Sequence, residues 1–134
     1  MQNDWLDTLV SSIARQEGFF AGDQKLTPVV RNNPGDLRYA HQRNATSPDG
    51  TTEGMQNPEP IAVFSSLEAG IAALYRDVLA KIATGASLKE VIYVFAPPNE
   101  NNSATYLANV AAWTGTTDIN APLIRRFAIT KPAA

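Results

Sequence analysis

Residues 4–20, DWLDTLVSSIARQEGFF, carry an apolar stripe at helical spacing. Trp5, Leu9 and Ile13 recur every four residues, and Leu6, Val10 and Ile13 fill in the same face. That spacing predicts an α-helix with one side in a core. Glu17 continues the stripe, four residues past Ile13 and three past Ala14. A carboxylate where the pattern asks for an apolar side chain is costly unless it is paired or keeps its proton. Gly18 follows at once, as expected where a helix stops. Glu17 is therefore expected at the inner end of a buried helix, beside a loop that leaves the core. A general acid needs that setting. The plainer alternative is a snorkelling or solvated Glu at a helix end, which is the commoner fate of such a residue.

The 134-residue length fits one compact domain, and apolar content of 44% is ordinary for one. Charged residues such as Arg76, Asp77 and Lys81 interrupt the longest apolar stretches, so no membrane span or insertion is expected. The opening MQNDWLD has an acidic flank and no apolar core, unlike a signal peptide. Cysteine is absent, which excludes a disulfide framework and thiolate metal sites. The single histidine, His41, lies among polar loop residues, so neither metal nor cofactor is expected. A net charge of −2 with scattered Lys and Arg argues against electrostatic capture of nucleic acid. It also gives no cationic surface for an anionic cell wall.

Residues 22–28 read as a loop. In RNNPGDLRY, residues 31–39, Pro34 and Gly35 have the preferences of a type II turn, with Gly35 taking the positive φ. Residues 37–39 and 61–64 are predicted as short strands of an irregular hairpin. The polar stretch 40–60 between them has no helical period. This makes a loop-rich lobe over about residues 31–64.

The remainder reads as helix with clear punctuation. Ser65 with Glu68, and Ser87 with Glu90, each match a capping box. Leu67, Ile71, Leu74, Tyr75, Val78, Leu79 and Ile82 are expected to form the buried face of the first helix, which Gly85 stops. The second runs through Phe95 and ends before Pro97 and Pro98. Asn102 or Ser103 is expected to cap a third, with Leu107, Val110 and Ala111 inward and Gly115 as terminator. Asn120 and Pro122 open a last short helix carrying Leu123, Ile124 and Phe127. Trp5 and Trp113 are assigned to packing. The expected fold is mostly α, a single domain over residues 1–134.

IARQEGF, RNNPGDLRY, IAVFSSLEAGIAAL and APPNENNSATYLANVAAWTG follow one another in this order over about residues 13–115. Together they resemble muralytic domains of the lysozyme superfamily, of the goose-type lysozyme and lytic transglycosylase kind, nearest to the short versions in phage virions and prophages. The resemblance implies a lysozyme-like helical fold with a peptidoglycan groove beside a small loop-rich lobe. It implies cleavage of the β-1,4 bond between N-acetylmuramic acid and N-acetylglucosamine. Glu17 matches the catalytic acid. Asn33, Pro34 and Gly35 match a turn beside the groove, where the resemblance implies that Asn33 and Asp36 contact substrate. Glu100, Asn101 and Tyr106 match a late motif across the groove from it. The chain departs at Asp36, where Asn is the more usual residue, so Asp36 is either a second carboxylate or a charged variant of a turn residue. The variant is the preferred reading.

A glycosidic bond breaks as its leaving oxygen is protonated and oxocarbenium character develops on the sugar. Glu17 is the expected donor. A second carboxylate, if one acts, comes from Asp36, Asp49, Glu53 or Glu100, although Asp49 reads first as a turn residue and Glu53 as a solvated acid. Without one, the substrate's N-acetyl group or 6-hydroxyl completes the reaction, the latter giving the 1,6-anhydro product of a transglycosylase. Tyr39 and Tyr106 can stack on sugars or simply pack in a core. Asn101 can bond a sugar amide or cap a helix. The expected partner is the glycan strand of peptidoglycan, met by a monomer attached to a larger phage particle or delivered to the periplasm or cell wall by another route. The competing readings are a non-catalytic wall-binding or virion module on the same fold, and a helix-turn-helix DNA binder formed by residues 67–84 and 88–95. Lys89 is the only cation on that second helix, which ranks the DNA reading last.

Overall fold

The stripe of residues 4–16 folds as the spacing predicts. In a computed structural model, which describes residues 4–20, 22, 29, 31–40, 42–46, 61–97 and 102–127, helix α1 (Asp4–Gln16) buries Leu6, Leu9, Val10, Ile13 and Ala14. Leu9 and Ile13 are wholly enclosed. Asp4 and Asp7 lie in its first turn and Arg15 in its last, each favourable to the helix dipole. Trp5 is only half-buried.

The chain is mostly helical and divides into two compact units, Met1–Asp77 and Val78–Ala134. The first holds α1, strands β1 (Ala45–Thr46) and β2 (Val63–Phe64), and the start of helix α2 (Leu67–Ala83). The unit boundary falls inside α2. The strands pair antiparallel, Ala45 opposite Phe64 and Thr46 opposite Val63. Residues 61–64 were expected as a strand, but the expected partner at 37–39 reduces to a single bridge between Arg38 and Ile61. Residues 45–46, inside the stretch expected to be all loop, take the pairing instead. Leu37 cannot extend a ladder because its N–H donates to the side chain of Asn33 (2.8 Å).

Two corrections concern α2. Ser66, not Ser65, caps it, accepting from the Ala69 N–H (3.2 Å). The Ser65 N–H is engaged by the Asn44 carbonyl (2.9 Å), so the residue belongs to the hairpin. Its buried side is formed by Gly70, Ala73, Leu74, Val78 and Ile82, while Leu67, Ile71 and Leu79 face water at 38–40% exposure. Tyr75 is half-buried, and its hydroxyl donates to Asp7 Oδ1, tying α2 to α1. Burial, then the Asp7 hydrogen bond and charge, push the phenol up from 10.0 to about 12. The native state thus favours the neutral phenol. This contribution is complete below pH 10 and is lost as pH rises toward 12. The stability difference between wild type and Tyr75→Phe, read by urea unfolding, is expected to shrink over that window.

In the second unit, α3 (Leu88–Phe95) packs on α4 (Ser103–Thr114), with Leu88, Val91, Ile92 and Val110 fully enclosed. The capping box at the head of α3 is present in both halves. Ser87 Oγ accepts from the Glu90 N–H (3.1 Å) and Glu90 Oε1 from the Ser87 N–H (2.9 Å). These bonds hold the Glu90 carboxyl below its ordinary range. Ser87→Ala is expected to cost about 1 kcal/mol, seen as a lower thermal midpoint. Asn102 caps α4, its side chain accepting from the Thr105 N–H. A 3₁₀ turn, Leu123–Phe127, replaces the expected last helix, burying Leu123 and exposing Ile124. It is fastened to the head of α3 by bonds from Leu123 N to Ala86 O (2.9 Å) and from Lys89 N to Ile119 O (3.1 Å). Trp113 is half-buried.

Candidate functional site

Glu17 is the first residue past α1, and the backbone around it is closely held. Its N–H donates to Ile13 O (3.0 Å), Gly18 N to Arg15 O (3.1 Å) and Phe19 N to Ala14 O (3.0 Å). The last two bonds form a Schellman motif, with Gly18 in the left-handed region at φ 91°. A side chain at that φ would be strained, so glycine fixes where the helix ends. Glu17 is the cap residue, half-buried, one turn beyond the enclosed Ile13. The residue is thus at the margin of the stripe and not among its enclosed members.

The RNNPGDL segment, in the same unit, is a frame stitched to residues 61–64. Asn33 is fully enclosed. Its Nδ2 donates to Leu37 O and Ala62 O (both 2.9 Å), and its Oδ1 accepts from Leu37 N. Every polar group of that amide is engaged with backbone, so Asn33 positions the turn and has no surface for a sugar to touch, a correction to its expected role in substrate contact. On either side, Arg31 Nη1 donates to Ile61 O (3.1 Å), Asn32 Nδ2 to Phe64 O (3.2 Å), Phe64 N to Arg31 O (2.9 Å) and Ala62 N to Leu37 O (2.8 Å).

A bond from Asp36 N to Asn33 O (3.0 Å) closes the turn itself. It is not type II, because the positive φ falls on Asp36 (51°) and not on Gly35. Gly35 serves a different need: a Cβ there would stand 2.5 Å from Leu74 Cδ1. The turn lies flat on α2, and aspartate tolerates the left-handed position that follows.

Asp36 is half-buried, and its Oδ1 is sealed from water without a hydrogen bond. Burial raises its carboxyl above the ordinary 3.8, while the charges of Arg31 and Arg38 pull it back down. Neither arginine stood out in the sequence. Their placement five residues before and two after the acid was the available signal.

The remaining expected residues are dispersed. Tyr39 is half-buried in the first unit. Tyr106, at 7% exposure, belongs to the interior of the second unit, which favours its packing reading over groove contact. Glu100 and Asn101, like His41, Asp49 and Glu53, lie outside the described residues. Among the described residues no helix is long and apolar enough to cross a membrane.

Comparison with protein-family models, curated proteins and solved structures returns no match. What the chain can do chemically therefore rests on its own residues. One unit contains an acid on a closely held helix-cap backbone and a second carboxyl, on a braced turn, whose burial favours the proton.

Proposed function

We propose that the chain is a peptidoglycan-cleaving glycosidase with a lysozyme-like fold, acting on the β-1,4 bond between N-acetylmuramic acid and N-acetylglucosamine. Glu17 protonates the leaving oxygen. The observation that carries the reading is the Schellman closure at Gly18, which fixes the backbone that bears this acid at the end of an apolar helix. Proton transfer requires a donor fixed within hydrogen-bond reach of the scissile oxygen, and a carboxyl on a braced cap meets that need better than one on a free loop. The chemistry completes through water, giving lysozyme products, or through the sugar's 6-hydroxyl, giving a 1,6-anhydro end. The protein works without cofactor or metal, as a monomer carried by a larger phage particle or delivered to the wall by another route.

The test is to incubate the purified protein with purified cell walls, following turbidity and the masses of released muropeptides. Soluble disaccharide-peptides are expected. Products one water lighter identify the transglycosylase route, and the full hydrolytic mass identifies the lysozyme route. Walls left intact, with no muropeptide released, would overturn the glycosidase reading.

A further inference from the structure

The Asp36 carboxyl is badly housed for a scaffold group. Its Oδ1 is sealed from water and receives no hydrogen bond, while the residue keeps part of its surface in water. Buried carboxylate oxygens are ordinarily bonded, and leaving one unmet is costly. The backbone is in the left-handed region at φ 51°. Arg31, the larger of the two cationic influences on it, sends Nη1 to the Ile61 carbonyl instead. Asparagine would fill the same turn with the same shape and the same tolerance of positive φ, and with no charge to desolvate. An acid held where its neutral isostere would sit more comfortably points to use outside the fold.

Resting on the glycosidase reading, we propose that Asp36 is a substrate-contacting carboxylate, retained at a cost to stability. It accepts a hydrogen bond from an N–H or O–H group of the amino-sugar chain through Oδ2, the oxygen that is not sealed in. The turn is well suited to such a contact. Asn33 locks it to residues 37 and 62, and Gly35 lets it lie against Leu74. The carboxylate is thus presented by a braced backbone and needs no ordering when substrate arrives. Burial favours the protonated acid, so the native state binds this proton more readily than the unfolded chain does. The cost of the charge therefore appears as pH rises above 3.8 and is full once the folded carboxyl has ionised.

Asp36→Asn separates the two halves of the proposal. Its thermal midpoint is expected to exceed that of wild type at pH 7, with the gain fading as pH falls toward 3.8 and the wild-type acid takes up its proton. Its rate of wall clearing is expected to fall severalfold, because the amide oxygen still accepts but without the charge that makes such a bond roughly twice as strong. Retention on insoluble walls is compared between Glu17→Gln and the Glu17→Gln, Asp36→Asn double variant. The double variant should be held less tightly, with the fold intact by circular dichroism. Clearing by Asp36→Asn at the wild-type rate would overturn the proposal. So would lost clearing with a lowered midpoint, since that makes Asp36 a scaffold residue. Failure of the wild type to clear walls is a different result. It removes the glycosidase reading and this substrate contact together, whatever Asp36→Asn does to stability.

Discussion

Gly70→Ala is expected to lower stability, although alanine is the better helix former. In an exposed helix interior the change gains about 0.8–1.0 kcal/mol. At this position a Cβ would fall on the carbonyl oxygen of Asn32, far inside van der Waals contact, and would crowd Asn32 C and Pro34 Cδ at 2.9 and 3.2 Å. The struck atom is backbone, which cannot swing aside as a side-chain tip can. Asn32 is already at φ 52° and is anchored through Nδ2 to Phe64 O, with Arg31 O held by Phe64 N. Overpacking typically costs about 1–3 kcal/mol and sometimes more, and a rigid obstacle puts this site at the upper end. The net expectation is a loss of about 2 kcal/mol or more, read as a lower urea midpoint at unchanged slope. Gly35→Ala should cost less, because the atom it meets is a terminal methyl of Leu74. A Gly70→Ala midpoint equal to or above wild type would mean that α2 does not lie this close to the turn.

That close approach also explains which parts of the fold were legible in the sequence. The head of α3 could be read correctly because both halves of its capping box, Ser87 and Glu90, lie within one turn of each other. The stripe of α1 was legible because its large aliphatic residues are also its buried ones, although Trp5 is half-buried. In α2, Leu74, Val78 and Ile82 are buried as their spacing predicts, but Leu67, Ile71 and Leu79 are not. The rotation of α2 is set by Gly70, which lets the helix meet Asn32, so small Gly70 and Ala73 turn inward and large Leu67, Ile71 and Leu79 turn out. A pattern weighted by side-chain size cannot see a contact made by the absence of a side chain. Ser65 matches a capping box with Glu68 by spacing alone, but its N–H is committed to Asn44, a partner twenty-one residues away. At the site, the helix end followed from local spacing, while Glu17 is half-buried at its margin and not at a buried inner end. The engagement of Asn33 with Ala62, and the sealing of one Asp36 oxygen, depend on tertiary contacts that no local motif encodes.

Glu17→Gln is expected to abolish most wall clearing while leaving the fold as it is. The bonds that define the cap are main-chain bonds from Glu17, Gly18 and Phe19, and none of them uses the carboxyl. Glutamine keeps the side chain's length and shape, so the thermal midpoint should stay close to wild type, as for most changes outside an enclosed core. What the amide cannot do is give up a proton to the leaving oxygen. General acid catalysis commonly supplies about 10²–10⁴-fold, and the rate of muropeptide release should fall by that order. Glu17→Asp tests placement separately from acidity. Aspartate can donate a proton, but it draws the carboxyl back by one methylene, and a misplacement of about 1 Å can cost on the order of 10²-fold. If Glu17 is the donor, both variants are slow, both are folded, and the glutamine is the slower. If both clear walls like wild type, the acid lies elsewhere. If aspartate is fast while glutamine is slow, the carboxyl's charge or proton matters but its fixed position does not, and the braced cap loses its assigned purpose.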